Sequence, residues 1–331
     1  MATSLNRDKN RQAGFWLALS GITVLNACGG RQSVLNPAGR DAETLAQLFW
    51  VMLAGAVLLW LLVAALFIFA TRIRTDRIIN RPWAETLIIV GGIVFPVVLL
   101  GALLIYSLPL MSNQRGPGDG LIVQVTGEQW WWRVTYLTPD GPVTSANEIR
   151  LPVGRRSEFV LNADNVIHSL WIPALGGKID MIPGRETRMT LEPLTAGTYR
   201  GQCAEFCGAS HALMAFEVVV MTPEDFSAWL AKEAEPASAS KSEGAAIFAR
   251  EGCGACHTIR GTDAAGMVGP DLTHVGGRVS LGAGIMGVEA DDFADWIGHT
   301  ETIKPEVRMP SYDHLDMHEL TALGRYLESL T

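Results

Sequence analysis

Two apolar stretches, Leu45 to Ala70 and Trp83 to Leu108, constrain this chain more than any other feature. Each is long enough to cross a bilayer core of roughly 30 Å as a helix, and within lipid only helices and closed barrels leave no backbone polar group unpaired. Apart from Glu85, near one end, neither stretch carries a charge. Between them lie Arg72, Arg74, Arg77 and Arg81, whereas the outer flanks hold few basic residues. That asymmetry places the short loop on the cytoplasmic side and everything outside the hairpin on the extracytoplasmic side. The alternative, two helices buried in a soluble domain, fits poorly because the runs are apolar all round rather than along one stripe.

Ahead of the hairpin, Arg7, Lys9 and Arg11 precede a short apolar run from Phe15 to Leu25, then Leu25-Asn26-Ala27-Cys28. This reads as a secretory signal with a junction like a bacterial lipobox. On that reading residues 1–27 are removed and Cys28 becomes a lipidated first residue, which adds an acyl anchor. An uncleaved signal anchor with an ordinary cysteine is the other reading. With 331 residues in all, the chain has room beyond the hairpin for two further domains. Its formal net charge of −8 argues against nucleic acid as a partner. The same charge is compatible with docking a basic protein, or with solubility alone.

From Leu121 to about Met221 the pattern changes to short alternating runs such as Leu121–Val125, Glu158–Leu161 and Phe216–Val220, separated by turn signals such as Thr138-Pro139-Asp140-Gly141. This predicts an all-β sandwich. Five cysteines fall as the isolated Cys28 and two close pairs, Cys203/Cys207 and Cys253/Cys256, a grouping of ligand sites rather than of a disulfide framework. The first pair sits in Cys203-Ala-Glu205-Phe-Cys207-Gly-Ala-Ser-His211-Ala-Leu-Met214, with His168 arriving from an earlier segment. Two thiolates, two imidazoles and a thioether suit copper, and two cysteines four apart suit a pair of coppers bridged by both sulfurs. A disulfide, a zinc site, or Met214 as plain core are the alternatives.

The second pair forms Cys253-Gly-Ala-Cys256-His257, the attachment signature of a c-type haem, in which the thiols form thioethers and the next histidine ligates iron. The sixth ligand falls to Met309, in Lys304-Pro-Glu-Val-Arg-Met309-Pro310, where class I cytochromes c present their axial methionine; Met267 and Met286 are the rivals. Gly269-Pro270 resembles the segment whose proline carbonyl orients the proximal imidazole. Between the two metal regions, residues 233–244 lack apolar periodicity and are rich in small side chains, as in a flexible tether.

Val166-Ile-His168-Ser-Leu-Trp-Ile-Pro-Ala-Leu-Gly-Gly-Lys178-Ile-Asp180-Met-Ile-Pro-Gly-Arg185 and Gly201-Gln-Cys203 through Phe216 resemble the cytochrome c oxidase subunit II family along nearly the whole sandwich. The resemblance runs from about Gln32 to the C-terminus and points to the form with a fused cytochrome c domain. It implies that Cys203 and Cys207 bridge both coppers of a CuA centre, that His168 and His211 bind one each, that Met214 is a weak ligand and that Glu205 contributes its carbonyl. By the same resemblance the Glu205 carboxylate helps hold a magnesium ion at the boundary with subunit I. Gln129-Trp130-Trp131-Trp132-Arg133 resembles the aromatic stretch that passes electrons inward, with Trp130 at the position of electron input; strand aromatics also serve as core. The resemblance fails at Val90-Gly91-Gly92-Ile-Val-Phe-Pro96, and the spacing from Glu85 to Pro96 keeps Glu85 from being assigned a role.

The expected architecture is a multidomain membrane protein. It comprises a signal peptide (1–27), a transmembrane hairpin (28–115), a cupredoxin-like all-β sandwich (116–232), a linker (233–244) and an all-α class I cytochrome c domain (245–331). The implied protein sits in the bacterial plasma membrane with both metal domains on the periplasmic side. It assembles with oxidase subunit I and other subunits and accepts electrons from a cytochrome c donor. Haem c and CuA pass these to subunit I, where oxygen reduction is coupled to proton transport. A self-contained copper reductase resembling nitrous oxide reductase would need a histidine-rich cluster. Of the seven histidines, the four unassigned ones, His274, His299, His314 and His318, all fall in the haem domain. A copper sensor, or a quinol oxidase subunit with a decayed copper site, fits poorly with intact ligands beside a haem motif.

Overall fold

The computed structural model describes residues 29–72, 80–113, 116–238 and 241–331. The signal sequence with Cys28, and Arg74 and Arg77 of the basic loop, lie outside the described residues.

Helix α1 (Arg40–Arg72) has Asp41 and Glu43 in its first turn and Arg72 in its last, charges that complement the helix dipole. Helix α2 (Arg81–Ile89) starts at Asn80, whose side chain accepts from the Trp83 N–H, with a proline in the first turn. It runs through a π-turn, Val90–Val94, into α3 (Phe95–Asn113). Pro96 has no N–H, and its ring would clash with the carbonyl four residues back. The widened turn relieves this, with the Phe95 N–H reaching back to the Val90 carbonyl. The stretch where the family resemblance fails is therefore the stretch that departs from α-helix. Nothing else among the described residues covers the apolar windows of either span.

The sandwich has two five-stranded sheets, ordered β3-β2-β1-β5-β8 and β4-β10-β9-β6-β7. Strands β1 (Ile122–Glu128) and β2 (Trp131–Thr138) alternate buried and half-buried positions as the sequence alternates. The remaining strands are β3 (Gly141–Ala146), β4 (Glu148–Pro152), β5 (Ser157–Ala163), β6 (His168–Trp171), β7 (Ile179–Met181), β8 (Thr187–Leu191), β9 (Gly197–Cys203) and β10 (Ala215–Met221). Between the sheets lie Trp132, Tyr136, Phe159 and Phe216, all fully buried. Phe216 stands edge-on to Trp132 at 5.1 Å between ring centroids. The tip of its ring also lies over Gly201, where a Cβ would meet it at 2.1 Å, so only glycine fits there.

Residues ahead of α1 strap onto this sandwich. The Ala38 N–H donates to the Ala174 carbonyl (2.7 Å), the Ala38 carbonyl accepts from Leu194 N–H (2.7 Å), and the Arg31 carbonyl accepts from Arg200 N–H (3.0 Å). The last strand leads into α4 (Pro223–Ala234), capped by Thr222.

The C-terminal domain packs α5 (Glu243–Arg250), α6 (Ala290–Ile303) and α7 (Met317–Glu328) around Phe248, Ile259, Phe293, Leu323 and Leu327. Helices α5 and α7 cross at Gly244, where a Cβ would meet the Ala322 carbonyl oxygen at 2.1 Å. The segment expected as a free tether is instead tied down over its first half. Glu233 is buried, the Glu235 carbonyl meets His274 Nε2 at 3.0 Å, and the Ala237 N–H donates to the Arg260 carbonyl at 2.9 Å. Small side chains leave this backbone unshielded, and it finds its partners in the haem domain rather than in water.

That domain is seated against the β4–β10–β9 sheet by residues 277–284. The Val279 N–H donates to Glu148 Oε2 (2.7 Å), Arg150 to the Gly277 carbonyl (2.9 Å), Arg200 to the Gly284 carbonyl (2.9 Å) and the Ala215 N–H to the Ala283 carbonyl (3.1 Å). Residues 282–284 all have positive φ, including the buried Ala283 at 70°, which turns these carbonyls outward to meet the sandwich.

Replacing Phe216 with alanine opens a cavity between Trp132 and Gly201. The substitution is expected to cost about 3–5 kcal/mol of sandwich stability, measured as a lowered urea midpoint of tryptophan fluorescence.

Candidate metal centres

His168 opens β6, Cys203 closes β9, and the chain returns through a 3-10 turn, His211–Leu213, and Met214 to β10. The strand ends thus bring together at one end of the sheet residues up to 46 positions apart, a spread no local pattern encodes. The base of the loop is closed by the Cys203 N–H donating to the Met214 carbonyl (2.9 Å), and the Ala204 N–H donates to the Ser169 carbonyl (3.0 Å). Gly208, at φ 119°, turns the loop where a Cβ would meet the Trp130 ring at 2.8 Å.

The two sulfurs stand 3.8 Å apart, far beyond disulfide length. His168 Nδ1 lies 3.7 Å from the Cys203 sulfur and His211 Nδ1 lies 3.5 Å from that of Cys207. The Glu205 carbonyl is 3.1 Å from Cys203, and the Met214 sulfur is 3.8 Å from Cys207. His168 is fully buried, with its ring against Gly127, where a Cβ would come within 2.8 Å. Within the described residues, His168, Cys203 and Cys207 form the group whose ligand atoms all lie within 4.8 Å of one another. A hydrogen bond from Cys207 pushes the Cys203 thiol well down, with further help from His168 and backbone groups, and the same sharing pushes Cys207 up. Both thiols must give up their protons to bind metal. Two neighbouring sulfurs flanked by two imidazoles and two weak donors offer more ligands than one tetrahedral ion takes, which fits two coppers better than one zinc. The Glu205 carboxylate meets Lys178 Nζ at 3.5 Å, and the same ammonium holds Asp180 at 2.8 Å.

In the second domain, Gly252 (φ 71°) leads into the turn Cys253–Ala255, and the His257 N–H donates to the Cys253 carbonyl at 3.0 Å. His257 Nδ1 lies 2.7 Å from the Pro270 carbonyl, so it carries the proton and leaves Nε2 free. Burial holds the imidazole below its ordinary pKa, which favours the neutral, metal-binding form. Gly269 is required here: a Cβ would meet the imidazole at 2.6 Å.

Cys253, Cys256, His257 and Met309 line one cavity, and the same cavity is walled by Glu128, Gln129, Trp130 and Trp131 of the sandwich. Met267 is exposed, and Met286 pairs with Leu281 on the packing side of the domain, so of the three methionines weighed Met309 is the one in the cavity. Arg278 is buried and lines the same space, a guanidinium suited to an anionic substituent of a porphyrin. These features fit a c-type haem.

Trp130 is only 4% exposed. Its indole N–H donates to the Cys207 carbonyl at 3.0 Å, and Gln129 Nε2 donates to the same oxygen at 2.9 Å. The haem cavity and the thiolate loop are thus joined by two adjacent side chains. Gln129 carried no signal of its own in the sequence, because its role depends on a loop 78 residues away.

A membrane-anchored chain that brings a cupredoxin-type thiolate site and a c-type haem cavity to one junction belongs to the class of respiratory electron-transfer subunits. Comparison with known proteins agrees. The family model for the periplasmic domain of cytochrome c oxidase subunit II matches residues 141–221, and that for cytochrome c matches residues 242–331. Cytochrome c oxidase subunit 2 of Alkalihalophilus pseudofirmus is 31% identical over 97% of this chain and 98% of its own length. The Bacillus subtilis protein of the same name is 32% identical over 72% of this chain and 70% of its own. The crystal structure of the periplasmic domain of subunit II of cytochrome oxidase from Bradyrhizobium japonicum aligns with 36% of this chain and 96% of its own, at 29% identity and a TM-score of 0.34. The chain belongs to the cytochrome c oxidase subunit 2 family, in the form that carries a C-terminal cytochrome c domain. It is therefore a subunit of the oxidase complex, anchored by its two apolar helices with an extracytoplasmic copper domain, and its domains imply a CuA centre and a haem.

Gly269→Ala should displace His257 from the haem face, giving a visible spectrum without normal histidine–methionine ligation in otherwise intact membrane protein.

Proposed function

We propose that this chain takes electrons from a cytochrome c donor at its haem domain and delivers them, across Trp130, to a copper pair that serves subunit I. The observation that carries this reading is the position of Trp130, whose ring walls the haem cavity while its N–H bonds the carbonyl of a copper-loop cysteine. When bound, the haem and the copper pair supply the one-electron couples. The chain's own residues set the geometry. Cys253 and Cys256 would fix the porphyrin covalently, and His257 and Met309 would ligate its iron. Cys203, Cys207, His168, His211, Met214 and the Glu205 carbonyl would hold the coppers. Holding these ligands between strand ends of one rigid sheet limits their movement when charge changes, which keeps electron transfer fast.

Because Trp130 is covered, an external donor meets the haem domain rather than the tryptophan. Oxygen reduction and proton transport belong, in this reading, to subunit I. For Glu205 to hold magnesium there, its carboxylate would have to leave Lys178, and the remaining ligands would come from the neighbouring subunit.

Cys203→Ser or Cys207→Ser is expected to remove the mixed-valence copper absorption and lower copper content from two per chain; one copper or a zinc ion in carefully metallated wild-type protein would contradict the dinuclear assignment. Truncation before Glu235 should leave copper assembly intact. Turnover with a cytochrome c donor should then fall, while electrons placed on the copper by photoreduction still reach subunit I. Undiminished turnover would mean that the donor uses the copper domain directly.

A further inference from the structure

Helix α6 ends at Ile303, and only five residues separate it from Met309. Three of them meet the sandwich, and a fourth holds the docking loop. Lys304 is 2% exposed, and its Nζ donates to the Gly282 carbonyl (2.7 Å) in the docking loop. The Pro305 carbonyl accepts from Ser210 Oγ at 2.6 Å. Val307 packs against the apolar core of the sandwich rather than that of its own domain. Arg308 lies 4.0 Å from Asp164 of the sandwich. The fifth, Glu306, sits at φ 62°, a strained conformation for a residue with a Cβ, and it turns the segment so that its neighbours face the sandwich.

Ser210 is fully buried and lies in the copper loop immediately before His211. Its hydroxyl therefore connects the segment that presents one candidate haem ligand to the loop that presents one candidate copper ligand. We infer that Lys304–Arg308 is the key that seats the haem domain on the copper loop, with Ser210 and Val307 as positioning residues that hold the haem cavity against Trp130. The inference uses the haem-to-copper reading above only for its rate measurement; the seating itself stands on the contacts.

A domain held in this way is a fixed wall of the junction rather than a carrier that visits it. Two amides report the seating directly. Ala215 N–H and Val279 N–H donate across the junction, to the Ala283 carbonyl and to Glu148, and are protected from exchange only while the domains are in contact.

The test uses the full chain assembled with its oxidase partners, as wild type, Ser210→Ala and Val307→Asp. Hydrogen exchange at Ala215 and Val279 is measured by mass spectrometry, alongside the rate of haem-to-copper electron transfer after photoreduction. Ser210→Ala should speed exchange at both amides by about fivefold, the equilibrium effect of one buried hydrogen bond. Val307→Asp, which places a carboxylate in the apolar contact, should do so by on the order of tenfold or more. The methionine–iron absorption band should persist in both, which separates unseating from loss of the haem fold. If Val307→Asp perturbs that band, Ser210→Ala, which leaves the haem domain untouched, decides. Wild-type exchange rates at both amides in Ser210→Ala overturn the inference, as does rapid exchange in the wild type. Slow exchange in a wild type that passes no electrons from haem to copper would instead overturn the functional reading and leave the seating in place.

Discussion

Two carboxylates, Glu148 and Glu217, stand opposite each other on adjacent strands of one sheet, and both are buried. Like charges in that position destabilise a sheet, and each carries a desolvation cost unless it is paired. Burial accordingly pushes the Glu217 carboxyl up, opposed by the nearby Arg31 and Arg200. Relief comes from three parts of the chain at once. Arg31 arrives from the strap that precedes the first membrane helix (3.1 Å), Arg150 and Arg200 from the sandwich itself, and the Val279 N–H from the haem domain. The sandwich face is therefore complete only when strap and haem domain are both in place.

This dependence explains why the second metal domain lies where it does. Arg150 and Arg200, having neutralised the carboxylates, extend on to carbonyls of residues 277–284. Seating that loop closes the haem cavity over Glu128 to Trp131 and brings Pro305 to Ser210. The Cys207 carbonyl, which accepts from both Trp130 and Gln129, then joins the two metal sites through hydrogen bonds rather than through solvent. On the proposed route, electrostatic compensation and electron transfer use one surface. A freely swinging domain would give up the first in order to sample the second.

Much of this was readable in advance. Helix-length apolar runs, strict alternation in strands such as Ile122–Glu128, and the two cysteine pairs follow from local chemistry: lipid demands paired backbone, a half-buried strand demands period two, and soft metals demand closely spaced thiolates. The π-turn before Pro96 also has a local cause, and its place was marked by the break in resemblance. The tether was misjudged for the converse reason. Small residues without periodicity look free, but Glu235 and Ala237 are held by His274 and Arg260, which no window of sequence around them contains.

By itself, then, the sequence determined which side chains could bind metal and which segments could span lipid, because both depend on residue type and short spacing. The tertiary structure alone decided how the sites meet. Trp130 is a strand aromatic like its neighbours until the fold sets its indole against Cys207 and its ring against the haem cavity. Ser210, Lys304 and Val307 have no distinguishing pattern at all. Ser210 meets Pro305 95 residues on and Lys304 meets Gly282 22 residues back, so their positions are set by the sum of buried charge, apolar contact and hydrogen bonding around the junction.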